Sequence, residues 1–301
     1  MTMRVATFAM NRQMLAASLN TQAKMAGMQL QEASGLASTD YTGLGTDARK
    51  LVNLEVSAAR SSRYEAAASN ASTTIEATYN ALGSIADLLS SFRSQVTAAQ
   101  GINDSAATRA TLVASATASL AELGSLLNTQ YGDRSIFAGS DGNGAAVDIS
   151  AISFDLDTVD TSYYQGSAGR LTAQISENQT LTYGINADAI GIEQALRAIG
   201  SVAQSGDGAD LDLSAVLELL VQATDGVATL QGTTSIAAAS AERAIATQQD
   251  LQDFYNNSIS SLRDVDVTAI AAQLTAYETQ LQASYAALAK LQSLSILDYL
   301  R

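Results

Sequence analysis

Not one of the 301 residues is proline. Average usage would place roughly fifteen in a chain of this length. Proline removes a backbone donor and breaks helix interiors, so a chain without it is free to build long, uninterrupted helices. Apolar residues recurring at steps of three and four give such helices faces to bury, and that spacing dominates both ends of the sequence.

A first helix is expected from about Thr7 to Ala33, with Phe8, Leu15, Leu19, Ala23, Ala26 and Leu30 on one face, closed by Ser34-Gly35, since glycine favours helix C-termini. Asp40 to Gly45 reads as a loop, with Thr46 or Asp47 as the next N-cap. A second helix runs from about Thr46 to Gln100, with heptads through Ile75, Tyr79, Leu82, Ala86, Leu89 and Val96; at that length it spans roughly 80 Å. A third, from about Ser105 to Gln130, carries Leu112, Ala116, Leu120, Leu123 and Leu127.

The texture changes at Tyr131. Gly139 to Gly144 reads as a turn region, and Ile149–Leu156, Leu171–Ile175 and Leu181–Ile185 read as short strands. Helical periodicity returns near Ile192 and continues through Leu213, Val216, Leu220, Ala223, Val227 and Leu230 to about Leu262. From Leu262 to Leu300 the pattern gives one further amphipathic helix, with Val267, Ile270, Leu274, Tyr277, Leu281, Leu288 and Leu291 on its stripe. The expected fold is therefore mainly α: a long antiparallel helical rod or coiled coil formed by the N- and C-terminal regions, with a small β-rich central insertion. Three regions are expected: 1–40 with 265–301 as a terminal coiled-coil layer, 45–140 with 190–264 as a helical rod, and 141–189 as a small, outward-facing β-rich domain.

Composition narrows the chemistry. Cysteine, histidine and tryptophan are absent, which removes the commonest nucleophile–base pairs and nearly all zinc, haem and iron–sulfur ligation. Only carboxylate chemistry or an oxygen-ligated hard cation is left. The net charge of −14 opposes nucleic-acid binding and attraction to anionic membranes. No run of about eighteen apolar residues is expected to span a bilayer, and Met1 to Phe8 lacks the features of a secretory leader, so the expectation is a protein of the cytoplasm or one exported without a cleaved signal. Gly139 to Gly144 lacks the lysine of a phosphate-binding loop and reads as a hinge. Asp155, Asp157 and Asp160 read as a solvated face. No catalytic, cofactor or metal site is expected.

An apolar stripe at a chain terminus, where chains usually fray, calls for a partner. The candidate assembly residues are Phe8, Leu15, Leu19 and Leu30 from the N-terminal helix. From the C-terminal helix they are Ile270, Leu274, Tyr277, Leu281, Leu288, Leu291, Leu294, Leu297, Tyr299 and Leu300.

Several segments carry a family resemblance. Leu262-Arg263-Asp264-Val265-Asp266 followed by a helix, and the ending Leu291 to Leu300, resemble the flagellins and the hook-associated proteins related to them. Leu30-Gln31-Glu32-Ala33-Ser34-Gly35 is similar to the turn that follows their first helix. Ser135-Ile136-Phe137-Ala138-Gly139-Ser140, Tyr164-Gln165-Gly166 and Leu294-Ser295-Ile296-Leu297-Asp298-Tyr299-Leu300 resemble the hook–filament junction type, hook-associated protein 3. The resemblance implies a non-enzymatic structural subunit of the bacterial flagellum, located outside the cell and exported by the flagellar type III apparatus. It also implies the partners: a hook-side hook-associated protein, flagellin, further copies of the chain and an export chaperone. A divergent filament flagellin, and an enzyme or cation-binding module carried on the insertion, stand as alternatives.

Overall fold

The computed structural model describes residues 2–101, 105–150, 152–206 and 211–297. Its helices are α1 (Thr2–Ser34), α2 (Ala48–Gly101), α3 (Ala106–Leu127), α4 (Ile190–Gln204), α5 (Leu213–Arg263) and α6 (Val267–Leu297). Two small antiparallel hairpins join them, β1 (Gln130–Tyr131) with β2 (Arg134–Ser135) and β3 (Leu171–Ser176) with β4 (Gln179–Tyr183). The chain is thus mainly helical with a small β content. It divides into two compact units, Arg60–Leu251, and Met1–Ala59 with Gln252–Arg301.

Within Arg60–Leu251, α2 and α5 run antiparallel: Ser61 Oγ donates to the Gln248 carbonyl at one end, and Gln100 donates to the Ser214 hydroxyl at the other. The buried seam of α2 is Ala68, Ala71, Ile75, Thr78, Leu82, Ile85, Leu89, Phe92 and Val96, an unbroken alternation of three and four. The expected positions Ile75, Leu82, Leu89 and Val96 lie in it. Tyr79 and Ala86 do not: Tyr79 is exposed and Ala86 half-buried, because the step after Ile75 and Leu82 is three residues, to Thr78 and Ile85. Thr78 is tolerated there because its hydroxyl donates to the Thr74 carbonyl at 2.8 Å, satisfying the buried polar group. On α5 the buried set is Val216, Leu219, Leu220, Ala223, Val227, Thr234, Ala241 and Gln248.

α3 begins at an N-cap, Ser105, whose side chain accepts from the Thr108 N–H. It packs against α4, and both contribute to one core with α2 and α5. α4 reaches α5 through paired glycines: a Cβ on Gly191 would lie 2.6–2.8 Å from the Gly226 and Val227 backbone. By length and composition α3 and α5 are apolar enough to cross a bilayer, contrary to expectation. Their apolar stripes, Leu112, Ala116, Leu123 and Leu127 on one and Val216 to Val227 on the other, are instead spent on this core.

The central insertion differs from its sequence reading in two places. Residues 149–156 form no strand among the described residues. Their backbone groups are taken by the side chain of Gln204, which accepts from the Phe154 N–H at 2.8 Å and donates to the Ile152 carbonyl at 2.7 Å. The β1–β2 hairpin was not anticipated, being only two residues a side. The β3–β4 hairpin matches two expected strands and pairs Leu171 with Tyr183 and Ala173 with Leu181. Ala173, Leu181 and Tyr183 pack on Ala71, Ile75 and Ala241 of the helices. Ala146, Val147, Phe154, Tyr163, Ile185 and Ala187 of the insertion belong to the helical core, so residues 141–189 share their interior with α2–α5.

In the second unit, Gly35 adopts φ +70° and closes α1, its N–H donating to the Gln31 carbonyl. The expected single helix from Leu262 is broken: Leu262 and Arg263 end α5, and α6 begins only at Val267. The break is made by the backbone, since Ala37 N–H donates to the Arg263 carbonyl and Val265 N–H to the Gly35 carbonyl. Asp266 Oδ1 then caps α6, accepting from the Thr268 and Ala269 N–H groups. Asp40, rather than Thr46 or Asp47, organises the turn before α2. Its carboxylate accepts from the Thr42 hydroxyl and the Gly43 N–H, and those bonds hold its pKa below the ordinary carboxylate value.

Gly191→Ala should destabilise the protein by about 1–3 kcal/mol, read as a lower midpoint in thermal unfolding followed by circular dichroism. An unchanged midpoint would show that α4 and α5 separate without cost.

Candidate assembly surface

The terminal helices α1 and α6 pack on each other within one unit. They run antiparallel, because residues 35–37 meet residues 263–265 while Gln22 donates to the Tyr285 hydroxyl further along both helices. On α6 the half-buried positions include Ile270, Leu274, Tyr277, Leu281, Ser284 and Leu288, again in strict four–three alternation. The expected residues Ile270, Leu274, Tyr277, Leu281 and Leu288 therefore lie on the face that α6 keeps from solvent.

On α1 the residues withdrawn from solvent include Asn11, Met14, Ser18, Thr21, Met25 and Met28. They follow the same alternation, yet only the methionines among them are apolar. The leucines occupy a neighbouring stripe about 100° around the helix: Leu15, Leu19 and Leu30 are 52, 57 and 66 % exposed. The stripe that the leucines make conspicuous in the sequence is thus the outer one. The signal for the inner seam is the spacing of Met, Ser and Thr, small or flexible side chains that fill an irregular gap. Thr21 is accommodated by donating to the Ala17 carbonyl at 3.0 Å.

α1 thus carries two faces, one against α6 and one apolar and open. The side chains of Phe8, Leu291, Leu294 and Leu297, and Tyr299 and Leu300 entirely, lie outside the described residues. Beside the turn that joins α5 to α6, Tyr41 donates to Glu55 at 2.8 Å and Arg263 approaches Glu55 at 3.7 Å. The bond to Glu55 raises the Tyr41 pKa above the usual phenol value. These are surface contacts of modest energy, but they tie the first loop, α2 and α5 together beside the Gly35 turn.

Elsewhere the chemistry is structural. Glu193 is buried and ion-paired with Arg197 at 3.0 Å, and Arg197 also donates to the Leu156 carbonyl. The Tyr163 hydroxyl donates to the Ala187 carbonyl at 3.0 Å, and burial pushes its pKa up. A cavity of about 240 Å³ beside the β3–β4 hairpin has one charged side chain in its lining, Arg243. Among the described residues there is no cluster of three or more acids suited to a metal.

Residues 217–300 match the family model of the bacterial flagellin C-terminal helical region. No curated protein matches the sequence. Among solved structures, one from Vibrio parahaemolyticus described as a flagellar hook-associated protein is similar over 75% of this chain and 99% of its own, at 15% identity and a TM-score of 0.60. FlgL of Bacillus cereus is similar over 71% of this chain and 99% of its own, at 14% identity and a TM-score of 0.50. The C-terminal region is therefore flagellin-like in sequence, and the chain has a fold that hook-associated proteins share.

The two faces of α1 predict opposite responses in the isolated protein. Met25→Asp should loosen α1 from α6 and lower stability by about 1–3 kcal/mol. Leu19→Asp should stay within about 0.5 kcal/mol of the parent. Urea unfolding combined with limited proteolysis of the termini distinguishes them, and equal effects would contradict the assignment of faces.

Proposed function

We propose that this chain, with its flagellin C-terminal helical region, is a structural subunit of the bacterial flagellum that joins the hook to the filament. It meets a hook-side hook-associated protein on one side and flagellin on the other, and copies of the chain form a layer between them. The observation that carries the reading is the open apolar stripe Leu15, Leu19 and Leu30 on a helix already packed, on its other face, against α6. A monomer gains nothing from that stripe, whereas a subunit buries it on neighbours. Phe8, Leu291, Leu294, Leu297, Tyr299 and Leu300 extend the same surface in this reading, with 1–40 and 265–301 as its terminal layer.

Head-to-tail packing of such surfaces generates helical layers rather than closed pairs. Each 1,000 Å² of apolar surface buried contributes about 25 kcal/mol gross, much of it offset by lost freedom of the subunits. Delivery outside the cell through the flagellar type III route, with an export chaperone to cover the termini, belongs to the same proposal. So does the absence of catalysis: the role is carried by shape and burial.

Deletion of the gene should leave bare hooks by electron microscopy, with flagellin shed into the medium. Bare hooks with no flagellin in the medium would instead identify the chain as the filament flagellin, and unaltered flagella would refute the proposal. In complemented cells Leu19→Asp should restore the secreted protein but not the filaments.

A further inference from the structure

We infer that Asn143 is a site of spontaneous covalent modification: its side-chain amide is lost in the folded protein, leaving aspartate or isoaspartate in the loop Asp141-Gly142-Asn143-Gly144. The chain has no other Asn-Gly step. Loss of an asparagine amide requires the backbone nitrogen of the next residue to reach the side-chain carbonyl carbon. Glycine offers no side chain to obstruct that approach and the widest range of backbone angles.

Among the described asparagines the fold leaves this step open where it closes the others; Asn186, for one, donates its side-chain amide to the Ser167 carbonyl while the Ala187 N–H donates to the Phe137 carbonyl. Asn143 and Gly144 are both exposed, in an irregular loop with Gly144 at φ +155°, and no described residue accepts from the Gly144 N–H. By contrast Asn11, Asn20, Asn53, Asn70, Asn80, Asn256 and Asn257 sit inside α1, α2 or α5, where the following N–H is committed to the helix ladder. Asn128 is held through both side-chain atoms to Val147, and Asn178 is followed by Gln179, whose side chain crowds the attacking nitrogen.

The chemistry balances with water alone. Hydroxide takes the proton from Gly144 N. That nitrogen forms a bond to Asn143 Cγ, the Cγ–Nδ2 bond breaks as the departing nitrogen takes a proton from water, and ammonia leaves, giving a five-membered succinimide and regenerating hydroxide. Water then adds to one of its two carbonyls. Opening on one side gives aspartate, and on the other isoaspartate, whose main chain passes through Cβ and Cγ. No oxidant or reductant is involved, and the chain gains one carboxylate.

The position gives the change a structural consequence. Ser135, buried beside Ile136 and Phe137 of the core, grips this loop on both sides of Asn143. Its N–H donates to the Gly142 carbonyl at 3.1 Å and its hydroxyl to the Gly144 carbonyl. Isoaspartate lengthens the backbone by one methylene between those two carbonyls, so both bonds cannot be kept in their present geometry.

The test is to incubate the native full-length protein in mildly alkaline buffer and map its peptides by mass spectrometry, scoring isoaspartate with an isoaspartyl methyltransferase. Asn143 should convert on the order of tenfold faster than any other asparagine in the same digest, the ratio that a barrier lower by about 1.4 kcal/mol gives. One more acidic species should accumulate on isoelectric focusing and be missing from Asn143→Gln. Converted protein should melt below Asn143→Gln held for the same time. Conversion at Asn143 no faster than elsewhere, or conversion in urea but not in the native protein, would overturn the inference. Equal melting of the two aged proteins would overturn its structural consequence.

Discussion

The seam between α2 and α5 is the constraint on which the larger unit depends. Each of its positions is set by the alternation of three and four, and each buried aliphatic side chain contributes of order 1.5–3 kcal/mol gross. α3 and α4 complete the core at one end of this seam, and the β3–β4 hairpin packs toward its other end, beside Ser61 and Gln248. Without proline, neither long helix is interrupted, so the seam holds its register over many turns. The close approach of Gly191 to Gly226 shows how α4 is then seated: by removing side chains rather than by adding contacts.

Polar residues inside this seam specify register rather than add bulk. Ser61 donates to Gln248 on the opposite helix, and Gln248 in turn donates to the Ile175 carbonyl at 3.0 Å. One buried glutamine thereby fixes α2, α5 and the hairpin against one another. A slip along the seam would leave these groups buried and unpaired, at a cost of about 1–3 kcal/mol each. Gln204 performs a similar task for residues 149–156, and the Glu193–Arg197 pair ties α4 to the carbonyl of Leu156.

Much of this was legible in the sequence, and several of the failures share a cause. Helix extents followed from periodicity and punctuation: Gly35 ends α1 with the expected left-handed turn, and Ser105 caps α3. The misreadings arose where a polar side chain does what an apolar one was expected to do. Thr78 takes the seam position assigned to Tyr79. Met14, Ser18, Thr21 and Met25 form the seam that α1 turns to α6, where the sequence drew attention to the leucines of the other face. Gln204 replaces the neighbouring strand that Ile149–Leu156 was expected to need. The break at Asp264–Asp266 depends on backbone bonds to residues 35–37, more than two hundred positions away, which no local pattern encodes. Of the segments that carry the family resemblance, the flagellin-like match over 217–300 covers Leu262–Asp266 and Leu291–Leu300 and leaves out those at 30–35, 135–140 and 164–166.

In the proposed role α1 keeps one face for α6 and gives the other to neighbouring subunits. Because the chain has no cysteine, a single thiol placed at Leu19 reports on that face alone. In the free protein Leu19→Cys should react with a maleimide at the rate of an exposed thiol. In purified flagella carrying the variant, the same thiol should be protected until the assembly is dissociated. A thiol at Leu19 that stays as reactive in the flagellum as in the monomer would contradict the account.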